Sequence, residues 1–153
     1  TVKGLFFSRE VLIYSINELD ALAFQLNINN EKIVSLIDSR KEKIYYCISE
    51  TANNKINILE EYAVSKLDNL LEKLVSTGET YYFTGDGAFN YKEKIENALK
   101  EKVKFPLDSN FKIRASTLIL VRKNYPLTDI YGLEPYYLEK SQAETEKEMK
   151  NGT

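Results

Sequence analysis

Apolar residues recur at Leu19, Leu22, Ala23 and Leu26, the i, i+3, i+4, i+7 spacing of a helix with one buried face. Ser15-Ile16-Asn17-Glu18, just ahead of them, has capping-box form, so the pattern predicts a first helix over about 17–28. The period then changes. IVSLIDSRKEKIYYCIS holds two β-rich runs parted by the charged corner Ser39-Arg40-Lys41-Glu42, and Lys55-Ile56-Asn57-Ile58-Leu59 alternates after the turn Asn53-Asn54. Together they predict a three-stranded antiparallel meander. Leu67, Leu70, Leu71 and Leu74 return to the helical period and predict a helix over 66–77, with Ser65 as N-cap and Gly78 as a left-handed stop. Tyr81-Tyr82-Phe83 reads as a short buried strand running into Gly85-Asp86-Gly87, after which 91–102 is helical in composition.

Pro106 and Asp108-Ser109-Asn110 break that helix, and 111–123 resumes one, apolar at Phe111, Ala115, Leu118 and Ile119, with Arg122 and Lys123 at its negative end. Tyr125-Pro126, Gly132 and Glu134-Pro135 punctuate a final irregular segment that ends in Tyr136-Tyr137-Leu138. From Ser141 the chain is Glu/Lys-rich and almost free of apolar residues, which predicts a frayed or disordered tail over 141–153. No internal repeat is present. The expected fold is therefore one α/β domain over 1–140, a mixed sheet made of the meander and a further strand, covered by helices. At 153 residues such a domain hides roughly 70% of its unfolded surface and can hold a true core. The chain opens at Thr1, directly in a patterned segment, and the expectation is that sequence has been cut away upstream.

Charge narrows the function. With 23 acidic and 21 basic residues, a formal −2 and a pI near 5.4, the chain has no global field to draw nucleic acid or an anionic membrane, so any RNA link is expected to be indirect. The absence of histidine removes Ser/His and Cys/His nucleophile pairs and imidazole metal ligands, and with them most hydrolase mechanisms. Cys47 has no partner for an internal disulfide and lies in a strand pattern, which marks it as a packed structural thiol. Arg9-Glu10 interrupts the N-terminal apolar residues before a signal core forms, and no run approaches ~18 apolar residues. A reducing cytoplasm is the expected location.

Two loops are candidates for phosphate chemistry. Asp38 and Arg40 lie where the first strand of the meander turns, a place where outward amides can hold phosphate and a carboxylate can hold Mg²⁺ through water. The plainer alternative is a solvated hairpin with an Asx-type turn. Gly85-Asp86-Gly87 sits between a strand and a helix, where glycines let a ligand approach the backbone and a helix N-terminus favours an anion. It lacks the spacing of a dinucleotide fingerprint or a Walker loop, and a simple strand-to-helix turn is the plainer reading. Asp38, Asp86 and Glu134 can be written as a two-metal carboxylate set, though nothing in their spacing demands it. The tyrosine pairs Tyr45-Tyr46, Tyr81-Tyr82 and Tyr136-Tyr137 lack the basic neighbours of a base-stacking surface and read as core and interface packing.

In chain order, Thr1-Val2-Lys3-Gly4-Leu5, the helix start at 15–22, Leu36-Ile37-Asp38-Ser39-Arg40-Lys41-Glu42-Lys43-Ile44-Tyr45, Gly85-Asp86-Gly87-Ala88, and Leu133-Glu134-Pro135-Tyr136-Tyr137-Leu138 with Ala143-Glu144 resemble the TsaB (YeaZ) family. This is the glycoprotease-like, actin-superfamily partner in bacterial tRNA threonylcarbamoyladenosine synthesis. The resemblance implies the second lobe of a two-lobed protein of the actin and sugar-kinase (RNase H-like) ATPase type, the first lobe lying upstream of this chain. It implies that Asp38 and Arg40 stand in the second phosphate loop, and Gly85, Asp86 and Gly87 in the adenosine loop. Asp86 interrupts the adjacent glycines usual in catalytic relatives, placing a negative charge where a nucleotide would come close, and Glu139 stands where the terminal motif has Arg. It further implies a non-catalytic subunit with no cofactor or metal of its own, working with the catalytic paralogue TsaD and the ATPase TsaE. Loss of the first lobe would expose apolar surface that could drive self-association of the fragment, whose oligomeric state the sequence leaves open. The contrasting expectation is an enzyme, an ATP-hydrolysing or glycoprotease-like lobe.

Overall fold

The computed structural model describes residues 2–6, 11–40, 42–107 and 111–138. The break at 108–110 and the charged tail at 141–153, like Lys41, Glu139 and Ala143-Glu144, lie outside the described residues. A short helix α1 (Val2–Phe6) and strand β1 (Ile13–Tyr14) lead into α2 (Glu18–Gln25). The meander follows as β2 (Lys32–Asp38), β3 (Lys43–Ala52) and β4 (Lys55–Lys66), then α3 (Leu67–Thr77) and β5 (Tyr81–Thr84). Two short helices, α4 (Asp86–Asn90) and α5 (Lys92–Leu99), a 3₁₀ turn and β6 (Val103–Lys104) come next. Helix α6 (Ala115–Val121), a further 3₁₀ turn and β7 (Leu127–Thr128) complete the order of the described elements.

The main sheet runs β4-β3-β2-β5-β6. Its first two junctions are antiparallel and its last two parallel, so the mixed α/β architecture expected from the pattern is present. Central β2 is buried without a break through Ile33, Val34, Ser35 and Leu36, whereas edge strand β4 alternates exposed and half-buried positions over most of its length. On one side Val34, Leu36, Ile44 and Phe83 join Leu67, Leu70 and Leu74 of α3 and Ile95 of α5 in the main core. On the other side α2 packs on β2 and β3 through buried Leu19, Ala21, Leu22 and Ala23, and α6 packs on α2. Cys47 belongs to the strand, 1% exposed, with its thiol donating to the Glu60 carbonyl at 3.4 Å. Burial and the nearby Asp20, Glu61 and Glu60 carboxylates push it up to about 12, so it is an inert packed thiol.

Several boundaries differ from those read in the sequence. Helix α2 begins at Glu18, because the side chain of Asn17 rather than Ser15 accepts the Leu19 N–H at 2.9 Å. Strand β4 continues to Lys66, pairing Ser65 with Ile44, so Ser65 is a strand residue and Lys66 takes the cap position with no side-chain bond. Gly78 does stop α3 in the left-handed region, at φ 66°. The helix expected over 91–102 is split. It starts early, at Asp86, is interrupted at Tyr91, and ends at Leu99, where Lys100 turns to φ 52° and the chain enters β6 beside β5. The helix expected over 111–123 starts only at Ala115, since Phe111 is drawn into the core against Phe89 and Phe105. Gln25 Oε1 then accepts from the Arg114 N–H and the Thr117 hydroxyl, supplying from α2 the cap that α6 lacks. Arg122 donates to the Ile119 carbonyl at 2.6 Å, as its place at the helix end suggests. The segment after Tyr125-Pro126 is not wholly irregular, because Leu127 and Thr128 pair antiparallel with Tyr14 and Ile13.

Candidate functional site

Strands β2 and β5 run parallel, with Ser35 opposite Thr84, so their C-terminal ends bring the two candidate loops to one edge of the sheet. Asp38 is the last residue of β2. One of its oxygens, Oδ1, accepts from the Arg40 N–H at 2.8 Å and from the Tyr91 hydroxyl at 3.0 Å, and Oδ2 accepts from the Asn90 amide at 3.0 Å. The first bond is an Asx turn that closes the hairpin, with Arg40 itself exposed and left-handed at φ 66°. Partial burial works against the Asp38 anion, but the donors Arg40 N–H, Asn90 and Tyr91, with the Arg40 charge, outweigh it and hold the carboxyl below its usual range. Asp38 in turn raises the Tyr91 hydroxyl, to which burial contributes most.

The second loop meets the first directly. Asp86 Oδ1 accepts the Asp38 N–H at 3.0 Å, so the first residue of α4 closes the end of β2. Gly85 has φ 96°, and a Cβ there would lie 2.0 Å from the Leu36 carbonyl oxygen. A Cβ on Gly87 would lie 3.0 Å from Leu36 Cβ and 3.2 Å from the Asp38 nitrogen. Both glycines therefore serve the close approach of this turn to β2. Beside the corner, Glu42 pairs with Lys94, which also reaches Asp68, linking hairpin, α5 and α3 by exposed ion pairs. The two loops named from the sequence are thus brought together, and their polar groups are engaged with one another. Glu134 instead lines a separate groove, and among the described residues no three His, Cys, Asp or Glu side chains are gathered to hold a metal ion.

That groove has a volume of about 1280 Å³ and runs between the start of α2, Ile37, Tyr45 and the segment around Pro135. Its floor rests on Asp20, 5% exposed, whose Oδ2 accepts from the hydroxyls of Tyr62, at 2.7 Å, and of Tyr125. Oδ1 of the same carboxylate is buried without a partner. Burial raises the Asp20 carboxyl, the two tyrosine bonds offset part of that, and nearby Glu61 adds to it. Burial and Asp20 together raise both phenols. The ring of Tyr62 meets Tyr136 edge-on, centroids 6.1 Å apart. This trio escapes sequence reading because its members are up to 105 residues apart. The one local signal is an acid inside the otherwise apolar run Leu19-Asp20-Ala21-Leu22-Ala23. The tyrosine pairs divide: Tyr46 and Tyr81 are core, Tyr82 lies under Lys104 Nζ at 4.9 Å, and Tyr136 and Tyr137 are exposed.

The chain matches no family model and no curated protein. Among the described residues, no helix is long and apolar enough to cross a membrane.

Proposed function

We infer that this chain is a non-catalytic scaffold lobe of the TsaB (YeaZ) kind, an actin-superfamily-like lobe that supports a TsaD-type catalytic paralogue and a TsaE-type ATPase in making threonylcarbamoyladenosine in tRNA. The observation that supports it most is the engagement of Asp38 and Asp86. In a lobe that handles nucleotide, these loops would keep donors and carboxylates free for phosphate and its cation. Here Asp38 is held by three donors, Asp86 holds the Asp38 amide, and Gly85 and Gly87 sit against Leu36. A sheet with an antiparallel meander at one edge and parallel strands at the other, covered on both sides by helices, is consistent with such a lobe. The lack of histidine agrees with a supporting role.

On this reading the two-lobed parent, combined with TsaD and TsaE, restores modified adenosine in tRNA, and this chain alone does not, because the family resemblance implies that the TsaD contact runs chiefly through the first lobe, and a specific interface buries ~1,200–2,000 Å² in total. Asp38→Ala and Asp86→Ala in the parent lower modification by less than tenfold, about 1.4 kcal/mol, the size of a lost turn hydrogen bond. Loss of a catalytic group typically costs about 10²-fold or more. Nucleoside mass spectrometry at equal soluble concentration separates the two. A hundredfold loss without unfolding gives this lobe a part in the chemistry and overturns the proposal.

A further inference from the structure

The groove floored by Tyr62 and Tyr125 has a composition that the supporting role does not use. Five tyrosines line it, Tyr45, Tyr62, Tyr125, Tyr136 and Tyr137. Among the described residues its charged lining residues are Glu18 and Glu134, with no lysine or arginine, although the chain as a whole is almost neutral. Neither Glu18 nor Glu134 forms an ion pair with a described residue.

We propose that this groove docks an extended peptide segment of a protein partner that carries arginine or lysine among apolar residues. Three features select that occupant. An aromatic face attracts a cation through its quadrupole, and five tyrosine rings are gathered along this groove. Tyr62 and Tyr125 donate their hydroxyl protons to the Asp20 carboxylate, which polarises the phenols toward greater ring electron density and strengthens that attraction. A volume near 1280 Å³ exceeds the roughly 300–1,000 Å³ of a small-molecule pocket, so a chain segment fills it better than a metabolite. The rim tyrosines Tyr136 and Tyr137, 72% and 78% exposed, offer apolar contact to the residues between the cations. Nucleic acid is disfavoured, since the described lining offers its phosphates two carboxylates and no cation. The inference stands whether or not the tRNA-modification reading holds.

The test is a titration of the full chain, labelled with ¹³C in its tyrosine rings, with acetyl-Leu-Arg-Leu-Arg-Leu-amide. Saturable shifts are expected at Tyr62, Tyr136 and Tyr137, with core Tyr46 and Tyr81 unmoved. Replacing both arginines by neutral citrulline raises Kd at least threefold, and replacing them by glutamate at least tenfold. Glu18→Gln with Glu134→Gln raises Kd for the arginine peptide at least threefold. Tyr136→Leu, which keeps apolar area, does the same, whereas Tyr136→Phe does not. Equal affinity for the citrulline peptide, or no saturable shift at all, overturns the proposal. So do groove shifts produced by MgATP or an oligonucleotide in place of the peptide, or shifts that change on dilution without peptide, which would make a second copy the occupant. The peptide series uses the unaltered chain and decides the matter even where a variant folds poorly.

Discussion

The backbone N–H of Asp38 donates to Oδ1 of Asp86 at 3.0 Å, a bond between residues 48 apart that ties the end of β2 to the first turn of α4. Asp86→Ala leaves that amide to water in place of the carboxylate and, the bond being exposed, is expected to cost about 0.5–1.5 kcal/mol. In a domain of this length that is about 2–4 °C in Tm per kcal/mol. Asp86→Asn keeps an oxygen at the same place and recovers most of the loss. Thermal denaturation of the three proteins checks this, and an Asp86→Ala Tm equal to the parent's would show that the bond holds nothing.

Gly85→Ala and Gly78→Ala separate a crowded left-handed turn from an open one. At Gly85 the new methyl meets the Leu36 carbonyl oxygen at 2.0 Å, so the turn must leave β2, and a loss above about 3 kcal/mol or failure to fold is expected. At Gly78, φ 66°, nothing lies within 4 Å, and only the left-handed backbone is penalised, by roughly 1–2 kcal/mol. Urea denaturation of both variants orders the two costs.

Asp38 makes stability depend on pH in a stated direction. Its folded carboxyl lies below the ordinary aspartate value of 3.8, so the unfolded chain binds the proton more readily. Its contribution is fully present above that value and is lost as pH falls through the folded pKa. Asp38→Asn therefore differs most from the parent above about pH 5 and converges with it in acid, read from denaturant midpoints across pH 2 to 7.

Asp20 works in the opposite sense. Burial raises its carboxyl above 3.8, so the folded chain keeps the proton longer, and this group's contribution is present below the unfolded value and lost as pH rises through the folded one. The parent should lose stability relative to Asp20→Asn across that window and run parallel to it above. A difference that grows toward acid instead would mean that the tyrosine hydrogen bonds, and not burial, dominate.

MgATP is expected to bind no more tightly than the millimolar range, about −4 kcal/mol. The Asp86 carboxylate stands between the two glycines of its loop, and Asp38 is already held by three donors. Isothermal titration reads this directly, and a micromolar constant would make the loops a working nucleotide site.

What the sequence determined by itself was whatever depends on near neighbours. Leucines at 67, 70, 71 and 74 and a glycine at 78 are enough for α3 and its stop, and the alternation around Asn53-Asn54 is enough for a hairpin. Asp38 followed by Arg40 is enough for an Asx turn, and Gly85-Asp86-Gly87 for a tight strand-to-helix turn. The tertiary structure decided what depends on partners far along the chain. Phe111 leaves its helical pattern because burial against Phe89 and Phe105 outweighs a propensity of a few tenths of a kcal/mol per residue. Two-residue strands at 13–14 and 127–128 carry no period to read and exist because each supplies the other's hydrogen bonds. Asp20, Tyr62 and Tyr125 become one network only when α2, β4 and the segment after α6 converge, since a buried carboxylate needs donors that no neighbour in sequence provides.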